Sequence, residues 1–500
     1  MKNISLLFFV VPLLAQASTF HVAVGGSNGN NGLSVATAWA TLQYAADVAL
    51  AGDSVIVHDG NYTGFAAMDH SGTATDPIVF TALGNSVAIN DPCTYNNLDG
   101  INVENVAWVV IEGFTVHDMP RTGIRTVVSD HVTIRYNTCA NNFKWGILTG
   151  FAEHVLIEHN SCSGSEDEHG IYFSNSADDA IIRFNHCFDN NANGIHMNGD
   201  VSLGGDGVIS NAQVYGNIIH GNGTAGGSGI NCDGVINSVF YNNLLYDNHA
   251  SGISLYQIDG GAPSTGNRVY NNTIINASDA RWCVNITDGC TGNQVLNNIL
   301  INQHPWRGSI VVAADALAGF VSDHNLVVNS LSPDGDATIM DLEEWQALGY
   351  DANSQVADAQ SALFLNATNG DFHALSAAAQ MVDAGTNAVA SVVLVDLDGN
   401  LRPLGAGFDI GAYEHIGPTG LAELYDGTDG VSLTPAGYLF QHTAGGDLVQ
   451  LFDAQGRMVG GERVHTASYM IAFEELRPGS TFFRVRSADG ATKNSGILLR

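Results

Sequence analysis

The feature that most constrains the fold is a two-part pattern that recurs seven times between about Gly123 and Thr287. Its first part is a glycine, or in the last copy a cysteine, followed by alternating residues, as in Gly146–Thr149 (GILT) and Gly194–Met197 (GIHM). Its second part is a β-rich run that ends in asparagine. These asparagines are Asn137, Asn160, Asn185, Asn217, Asn243, Asn272 and Asn298. A period in the twenties, made of short strands and Gly/Asn turns, predicts a solenoid.

The composition of the repeats narrows the kind of solenoid. Leucine-rich repeats have a similar period, but the Leu-x-x-Leu-x-Leu consensus is missing from this chain. Strands rich in β-branched residues and turns that carry asparagine instead predict an all-β chain, a right-handed parallel β-helix. Stacked asparagine side chains can bond the backbone of the next coil, so we interpret the asparagine column as structural.

The alternation within each repeat predicts which side chains face solvent. Successive residues of a strand point to opposite faces, so the first and third residues after each glycine, which are apolar or small, should fill the core. The second and fourth should face outward and form a continuous surface, because neighbouring coils are about 4.8 Å apart. These outward columns are Arg125, Leu148, Tyr172, His196, Asn231, Ser254 and Asn285, and Val127, Gly150, Ser174, Asn198, Asp233, Tyr256 and Thr287.

Charge limits the classes of partner. The formal net charge is −33, which argues against nucleic acid as a ligand. Such a surface is compatible with Ca²⁺ and with neutral glycans, whereas an anionic substrate would need a local cationic patch. Nothing in the sequence indicates an oligomer, so we expect a monomer.

The ends of the chain predict export. Residues 1–17 have the pattern of a signal peptide, with Lys2, an apolar run from Ile4 to Leu14 and a small-x-small cleavage site at Ala15–Ala17. The apolar run is too short to span a membrane, and no later stretch is long enough. We therefore expect a protein that is secreted or held at the cell surface.

The seven cysteines cannot all pair with one another. Cys139, Cys162 and Cys187 each follow a repeat asparagine by two residues, a position that later repeats fill with Ile or Leu. This equivalence predicts a buried stack of free thiols, with a disulfide between adjacent coils as the alternative. The cysteine spacing does not match a zinc site.

The N-terminal part of the chain predicts a cap for the solenoid. Leu42, Ala45, Ala46 and Ala49 have helical spacing, and an amphipathic helix here would cover open strand edges. This opening and the Gly-Ile/Asn repeats resemble secreted pectin-lyase-like parallel β-helix proteins, a group rich in polysaccharide lyases, glycoside hydrolases and sugar epimerases. The resemblance covers about residues 20–415 and implies a β-helix domain over residues 18–415. It indicates the fold rather than the reaction.

The last eighty residues have a different pattern. Gly417–Gly420 suggests a linker over residues 416–425, and Leu448–Arg457 has the pattern strand, turn, strand. With the Leu-x-Pro-Gly step at Leu476–Gly479 and the basic terminus, residues 426–500 resemble a type IX secretion C-terminal sorting domain. That resemblance implies a small β-sandwich and export by the type IX machinery. Ser480–Phe482 departs from the Ile-Tyr pair usual in that family.

The candidate catalytic residues lie on the outward columns and just before the glycines. His196, His169 or Lys144 would be the base and Tyr172 the acid, with His196 and Tyr172 ranked first because an imidazole has the more suitable pKa. Asn141–Lys144 (NNFK) is similar to the context of a basic lysine in some β-helix pectate lyases. Lys144 would need cationic neighbours to lower its pKa; the alternative is an ion pair with Glu168.

Further residues are candidates for binding. Lys144, Arg121, Arg125 and Arg135 would form a cationic patch, with Arg125 and Arg121 on a uronate carboxylate. The remaining candidates for substrate binding are Asn198, Asn231, Asp233, Tyr256 and Trp145. Glu166, Asp167 and Glu168 are candidate ligands for Ca²⁺, which is common in the lyases that the chain resembles. No Asp-x-Asp-x-Asp-Gly loop is present.

The favoured hypothesis is therefore β-elimination on a uronate-containing polysaccharide. A C5-epimerase would share its first step. Hydrolysis by two carboxylates is an alternative, with Glu168 and Asp233 as candidates. A further alternative is a non-catalytic carbohydrate-binding protein in which Trp145, Tyr172, Tyr256 and Trp282 stack on sugars.

Overall fold

The computed structural model describes residues 17–415 and seven strands between residues 431 and 499. The predicted linker, and all of the predicted signal peptide except Ala17, lie outside the described residues. The chain divides into two units, Met1–Asn191 with Gly199–Ile209, and Ala192–Asn198 with Ser210–Arg500. Both are stacks of parallel β-strands, so the predicted parallel β-helix fold is confirmed.

The first unit contains a parallel sheet built from the Gly-Ile parts of the repeats, here called the first Gly-Ile sheet. Neighbouring strands pair in register, with Ile101, Ile124, Ile147 and Ile171 in one line. Its strands are Phe65–Ala67, Asp99–Glu104, Thr122–Val127, Trp145–Gly150 and His169–Ser174.

The other strands of the first unit form the remaining walls of its coils. They are Thr19–Val22, Ser54–Thr63, Ile78–Asp91, Val109–Glu112, Thr115–His117, Thr133–Arg135, Thr138–Ala140, Leu156–Glu158, Ser161–Ser163, Ile181–Arg183 and His186–Phe188. The short 3-10 helices of this unit are Val35–Thr37 and Val201–Leu203.

The predicted N-terminal helix is present at Leu42–Val48. Thr41 caps it, because its side chain accepts a hydrogen bond from the backbone N–H of Tyr44. Leu42, Ala45 and Ala46 are buried, which confirms the apolar face that the spacing predicted.

The second unit contains the corresponding sheet, here called the second Gly-Ile sheet. His196, Asn231, Ser254 and Asn285 stand side by side in register. Its strands are Ile195–Asn198, Ser228–Asp233, Ser251–Tyr256, Val284–Ile286, Ile310–Val312 and Leu331–Ser332.

The other strands of the second unit form its remaining walls. They are Gln213–Tyr215, Ile218–His220, Val235–Ile236, Val239–Tyr241, Leu244–Tyr246, Arg268–Tyr270, Thr273–Asn276, Gln294–Leu296, Ile299–Asn302, Val321–Asp323, Leu326–Val327 and Gln355–Val356.

Less regular structure follows the coils of the second unit. A helix spans Leu342–Ala347 and begins with a capping box between Asp341 and Glu344. The other elements are the helix Gln360–Leu363, the antiparallel strands Phe364–Asn366 and Asp371–Ala374, and the 3-10 helices Ala314–Ala316, Ala367–Asn369 and Asn387–Val389.

Towards the C-terminus the described strands pair in antiparallel fashion in two sheets. One contains Val431–Thr434, Gly437–Gln441 and Ser468–Ala472, and the other contains Met458–Val464, Asp447–Phe452, Ser480–Arg486 and Thr492–Leu499. The change from parallel to antiparallel strands agrees with the different pattern of this segment. The sorting function of residues 426–500 stays a prediction.

The asparagine columns are structural, as predicted. Asn137 Nδ2 donates to Asn160 Oδ1, and Asn160 Nδ2 donates to Asn185 Oδ1, each at 3.0 Å. The same ladder runs in the second unit through Asn217, Asn243, Asn272, Asn298 and Asn325. These side chains are buried, and they also bond to backbone groups that the turns would otherwise leave without partners.

The glycine column is required by the close approach of the coils. A Cβ on Gly123 would lie 2.6 Å from the carbonyl oxygen of Gly146, and one on Gly146 would lie 2.7 Å from that of Gly170. Both distances are shorter than a van der Waals contact, so these two strands accept only glycine at this position without moving apart.

The alternation prediction is right for the core and partly wrong for the surface. The first and third residues after each glycine are fully buried, for example Ile171 and Phe173. The fourth residues were expected to face solvent, but Ser174, Asn198 and Asp233 are buried as well. The chain turns directly after these strands, and the turn covers the last side chain.

Cys139, Cys162 and Cys187 form a buried stack of free thiols, as predicted. Cys139 stands opposite Cys162, and Cys162 stands opposite Cys187, in adjacent coils of the first unit. All seven cysteines are buried, and none forms a disulfide.

In the portion of the chain that the structure covers, every helix is too short or too polar to cross a membrane.

Candidate functional site

The first unit gathers several predicted site residues around one carboxylate. Lys144 Nζ lies 2.5 Å from Glu168 Oε1 and 3.2 Å from Asp167 Oδ2. The indole Nε1 of Trp145 donates to Glu168 Oε2 at 2.8 Å. The glutamate thus holds the lysine and the tryptophan of the preceding coil.

Lys144 is poorly placed to act as a base. Its hydrogen bond to Glu168 raises the pKa of the ammonium above the ordinary lysine value, although burial opposes the shift. The cationic neighbours that Lys144 would need for a lowered pKa are not its partners, because the charged groups that contact it are the carboxylates of Asp167 and Glu168. The alternative prediction, an ion pair between Lys144 and Glu168, is correct.

The arginines of the predicted cationic patch are also neutralised. Arg121 makes a two-pronged contact with the fully buried Asp99, at 2.9 and 2.6 Å. Arg125 Nη1 lies 2.6 Å from Glu104 Oε2. Arg135 pairs with Glu112 and belongs to a different sheet from Arg125. The predicted patch therefore has no excess of positive charge, and substrate binding by Arg121 and Arg125 stays a prediction that this geometry does not favour.

His169, Tyr172 and Trp145 form an aromatic cluster beside this ion pair. The Tyr172 ring stacks on that of Trp145 with centroids 5.4 Å apart, and His169 meets Tyr172 edge-on at 5.3 Å. His169 is buried, with Nε2 at 3.6 Å from Glu168 Oε2. Tyr172 belongs to the first unit and His196 to the second, so their partnership stays a prediction.

The acidic run proposed for Ca²⁺ has other contacts. Asp167 and Glu168 are both engaged by Lys144, so a cation already occupies the position that a metal would take. Glu166 is exposed. Calcium binding at these three residues stays a prediction without support from their geometry.

The second unit contains a cleft of about 400 Å³ on its Gly-Ile sheet. Hydroxyl, amide and aromatic groups line it together with two arginines and two carboxylates. The lining residues are Gly227, Ser228, Asn231, Ser251, Ser254, Tyr256, Ile258, Arg281, Trp282, Asn285, Thr287, Asp288, Arg307 and Asp336. This mixture of convergent polar groups and aromatic rings is typical of a ligand site.

A hydrogen-bonded row crosses this cleft. Ser228 Oγ lies 3.0 Å from Asn231 Oδ1 and 2.8 Å from Ser254 Oγ. Asn231 Nδ2 donates to the hydroxyl of Tyr256 at 2.8 Å, and that hydroxyl lies 3.4 Å from His196 Nε2. Two predicted site residues, Asn231 and Tyr256, therefore lie together next to the predicted base His196.

The environment fixes the protonation of the two ionisable groups in this row. Burial lowers the pKa of His196 to about 3, so its imidazole is neutral at neutral pH. Burial also raises the pKa of Tyr256 well above the ordinary phenol value, and the nearby Asp233 acts in the same direction. At neutral pH the pair is thus a neutral imidazole and a protonated phenol. The same burial makes the imidazole a weaker base and the phenol a weaker acid than they are in water, so the pKa of His196 is less suitable for a base than the sequence analysis expected.

The arginines of the cleft are unlike the other cations of the chain. Lys144, Arg121, Arg125, Arg135, Arg183 and Arg402 all have carboxylate partners. Among the lysines and arginines whose side chains are described, only Arg268, Arg281 and Arg307 lack a salt bridge, and the last two line the cleft. Arg307 also lies 4.5 Å above the ring of the half-exposed Trp306.

Asp233 has a structural role rather than an exposed one. It is 1% exposed, and its carboxylate accepts hydrogen bonds from the backbone N–H groups of Ile258, Asp259 and Gly260 at 2.7–3.0 Å. The side chain anchors the loop that carries Ile258 over the cleft. Asn198 stands beside it in register and is buried too. Both were expected on the surface, and that expectation is wrong.

The sequence interpretation did not assign Arg281 or Arg307 to the site. Arg281 precedes Trp282 at the position that Lys144 occupies before Trp145, so the repeat contained a usable signal. Arg307 comes from a loop outside the repeat, and no pattern in the sequence indicates its position.

One protein family matches part of the chain. The family described as "Periplasmic copper-binding protein (NosD)" matches residues 83–276, which is less than half of the sequence. No curated protein matches the chain.

Solved structures similar to this chain include two lyases and a protein in complex with xylose. The crystal structure of pectate lyase Pel9A is 15% identical, covers 81% of this chain and 98% of its own, and has a TM-score of 0.52. The complex of XylC with xylose is 11% identical, covers 80% and 98%, and has a TM-score of 0.47. A rhamnogalacturonan lyase is 13% identical, covers 70% and 91%, and has a TM-score of 0.45. At these identities the likeness to Pel9A shows the parallel β-helix fold alone.

Proposed function

We propose that this protein binds a uronate-containing polysaccharide in the cleft of its second unit and cleaves it by β-elimination. The observation that carries the proposal concerns Arg281 and Arg307, two arginines in the cleft of a chain with net charge −33 that form no salt bridge with any described residue. The many carboxylates of such a chain repel an anionic polymer in general. A site for one therefore needs local positive charge, and these two side chains supply it.

The first step is recognition of the substrate carboxylate. Guanidinium groups bind carboxylates through two parallel N–H bonds, and Arg281 and Arg307 are free to make them. Neutralising the carboxylate makes the hydrogen on the adjacent carbon, C5, more acidic.

The second step is proton removal and loss of the leaving group. His196 Nε2 takes the C5 proton, and the C5–H electron pair becomes the C4–C5 double bond as the C4–O bond breaks. Tyr256 gives its phenolic proton to the departing oxygen. His196 Nε2 and the Tyr256 hydroxyl lie 3.4 Å apart. This short distance suits a reaction in which a proton leaves C5 and another is given to the oxygen on the neighbouring carbon, C4. This assignment replaces Tyr172 by Tyr256 as the acid.

The test is an assay of the purified full-length protein with pectic and alginate-type polyuronates, with Ca²⁺ and with chelator. Ultraviolet absorbance from unsaturated uronates is the expected result, accompanied by new reducing ends. Dependence on Ca²⁺ would place a calcium ion between protein and substrate. New reducing ends without absorbance would exclude elimination.

Hydrolysis is the second candidate function, favoured by the two carboxylates Asp288 and Asp336 that line the same cleft. It replaces the earlier pair Glu168 and Asp233, whose carboxylates already bind Lys144 and a backbone loop. In this case Asp288→Asn would abolish the release of reducing ends, and His196→Ala would leave it largely intact.

Delivery to the outside of the cell completes the proposal. A polysaccharide substrate is extracellular, and export fits the signal peptide expected at residues 1–17 and the sorting domain expected at residues 426–500. Detection of the mature protein in culture medium or on the cell surface, and its loss on deletion of residues 426–500, would test this.

A further inference from the structure

A second group of chemically capable side chains lies at one corner of the coils in the first unit. Trp108, His131 and His154 occupy equivalent positions in successive coils, because the residues before them, Ala107, Asp130 and Glu153, are joined by parallel bridges. Each of the three has a positive φ of 52–58°, the left-handed conformation of a tight corner. The solenoid thus stacks two histidines that are 23 residues apart in sequence.

Asp130 brings the two imidazoles together. Its Oδ1 atom lies 2.8 Å from His131 Nδ1 and 2.9 Å from His154 Nδ1. One donor atom from each of the three residues lies within 4.8 Å of the others, and this is the one such group of three among the described residues. A further carboxylate, that of Asp179, lies 3.7 Å from His154 Nε2.

His131 has an unmet need for a partner. Its Nδ1 atom is buried and makes no hydrogen bond of acceptable geometry, although Asp130 is close. Its ring is held between Trp108, at a centroid distance of 3.8 Å, and His154, at 4.4 Å. The stack fixes the ring, so His131 cannot rotate freely towards another acceptor. An ion that accepts electron density from Nδ1 would satisfy it.

We propose that Asp130, His131 and His154 bind one divalent transition-metal ion. Two imidazole nitrogens and a carboxylate oxygen are ligands that suit Zn²⁺ and Cu²⁺, and Cu²⁺ binds such sites most tightly in the Irving–Williams order. The three side chains are between a third and a half exposed, so water can complete the coordination.

The site is separate from the proposed function. Its residues belong to the first unit, and all of the cleft residues belong to the second. The lyase proposal can therefore fail without affecting the metal proposal, and the reverse also holds.

The test is titration of the purified full-length protein with CuSO₄ and with ZnSO₄ by calorimetry, with electron paramagnetic resonance of the copper sample. We expect one tight site per chain and nitrogen hyperfine structure in the copper spectrum. His131→Ala and His154→Ala should each weaken binding at least about tenfold, because even outer partners of metal ligands contribute that much. Each should also remove one nitrogen from the spectrum.

The matched control is His249→Ala. His249 Nδ1 lies 2.9 Å from Asp279 Oδ1, the same distance as between His154 Nδ1 and Asp130 Oδ1. Unlike His154 and Asp130, this pair is not joined by another described side chain into a group of three possible metal ligands. This variant should bind metal like the parent protein. If an alanine variant fails to fold, as judged by circular dichroism, Asp130→Asn replaces it, since the amide keeps the size of the side chain.

Three outcomes would overturn the proposal. The first is that the parent protein does not bind copper or zinc tightly. The second is that the His131→Ala and His154→Ala variants bind the metal as tightly as the parent protein does. The third is that His249→Ala weakens metal binding as much as His131→Ala and His154→Ala do. The last result would mean that copper distributes over surface histidines.

Discussion

The hydroxyl of Tyr256 lies 3.4 Å from Nε2 of His196, although sixty residues separate them in the chain. Asn231, which stands between their strands, donates a hydrogen bond to the same hydroxyl and holds it in place. The stacking of coils thus assembles an acid–base pair from two distant repeats, and the predictions for catalysis start from this pair.

His196→Ala and Tyr256→Phe are each expected to lower kcat by about 10²–10⁴-fold, the range for loss of a general base or acid. Tyr256→Phe keeps the ring and removes only the proton donor, so KM should change little. Tyr136→Phe is the control, since Tyr136 stacks on His159 in the first unit. The variants are compared by their initial rates in the ultraviolet assay. Unchanged rates in His196→Ala and in Tyr256→Phe would reject the assignment of these two residues as base and acid.

The pH profile of kcat/KM reports on the free protein. Because burial lowers the pKa of His196 to about 3, its neutral form is complete above about pH 4. We expect no loss of rate attributable to this imidazole between pH 5 and 8. A fall in rate near pH 6.5 that disappears in His196→Gln would show instead an ordinary, solvated histidine.

Arg281→Gln and Arg307→Gln should weaken binding of polyuronates by roughly tenfold to a hundredfold each, equivalent to about 1.5–3 kcal/mol for hydrogen bonds to a charged group. Neutral glycans should bind equally well before and after either change. Arg268→Gln is the matched control, because Arg268 also lacks a salt bridge in the described structure but is not part of the cleft. Affinity electrophoresis or calorimetry with an oligouronate would measure the difference.

Arg121→Ala should destabilise the protein by about 3–5 kcal/mol, because it leaves the fully buried carboxylate of Asp99 without its charged partner. Denaturant unfolding measures this free energy. In the double variant Arg121→Gln with Asp99→Asn, no charge is left buried, and much of the stability should return. A loss below 1 kcal/mol in the single variant would contradict this structural role of Arg121.

Stability should fall in alkaline solution because of His373. Burial alone would lower the pKa of this imidazole, but hydrogen bonds to Asp398 and Asp371 outweigh it and raise the pKa to about 9. The charged form is therefore favoured in the folded protein, so its contribution is complete below about pH 6.5 and is lost as the pH rises to 9. The half-exposed position limits the effect to less than about 1 kcal/mol. His373→Gln should make the melting temperature less dependent on pH between about pH 6.5 and 9.

The cysteines should be inert in the native protein. All seven are buried, and burial raises the pKa of the Cys232 and Cys283 thiols, so little thiolate forms. Ellman's reagent should find seven thiols after denaturation in guanidinium chloride and almost none before it. Rapid labelling of the native protein would contradict the stacked, closed core.

The sequence by itself determined the strands, the core columns, the asparagine ladders and the cysteine stack. These features depend on alternation within a strand and on a repeat length near one coil, both of which are local properties of the chain. Ile124, Asn160 and Cys162 could therefore be placed from the sequence.

Only the tertiary structure decided which polar side chains meet. Lys144, Arg121 and Asp233 have residue types suited to a site, yet each is bound by a carboxylate or a loop that the repeat does not specify. Arg307 reaches the cleft from an irregular loop. The physical reason is that ion pairs and hydrogen bonds require atoms within about 3 Å. The repeat fixes the positions of neighbouring strands closely enough to place their side chains. The loops differ in length from coil to coil, so the positions of their side chains cannot be inferred from the repeat.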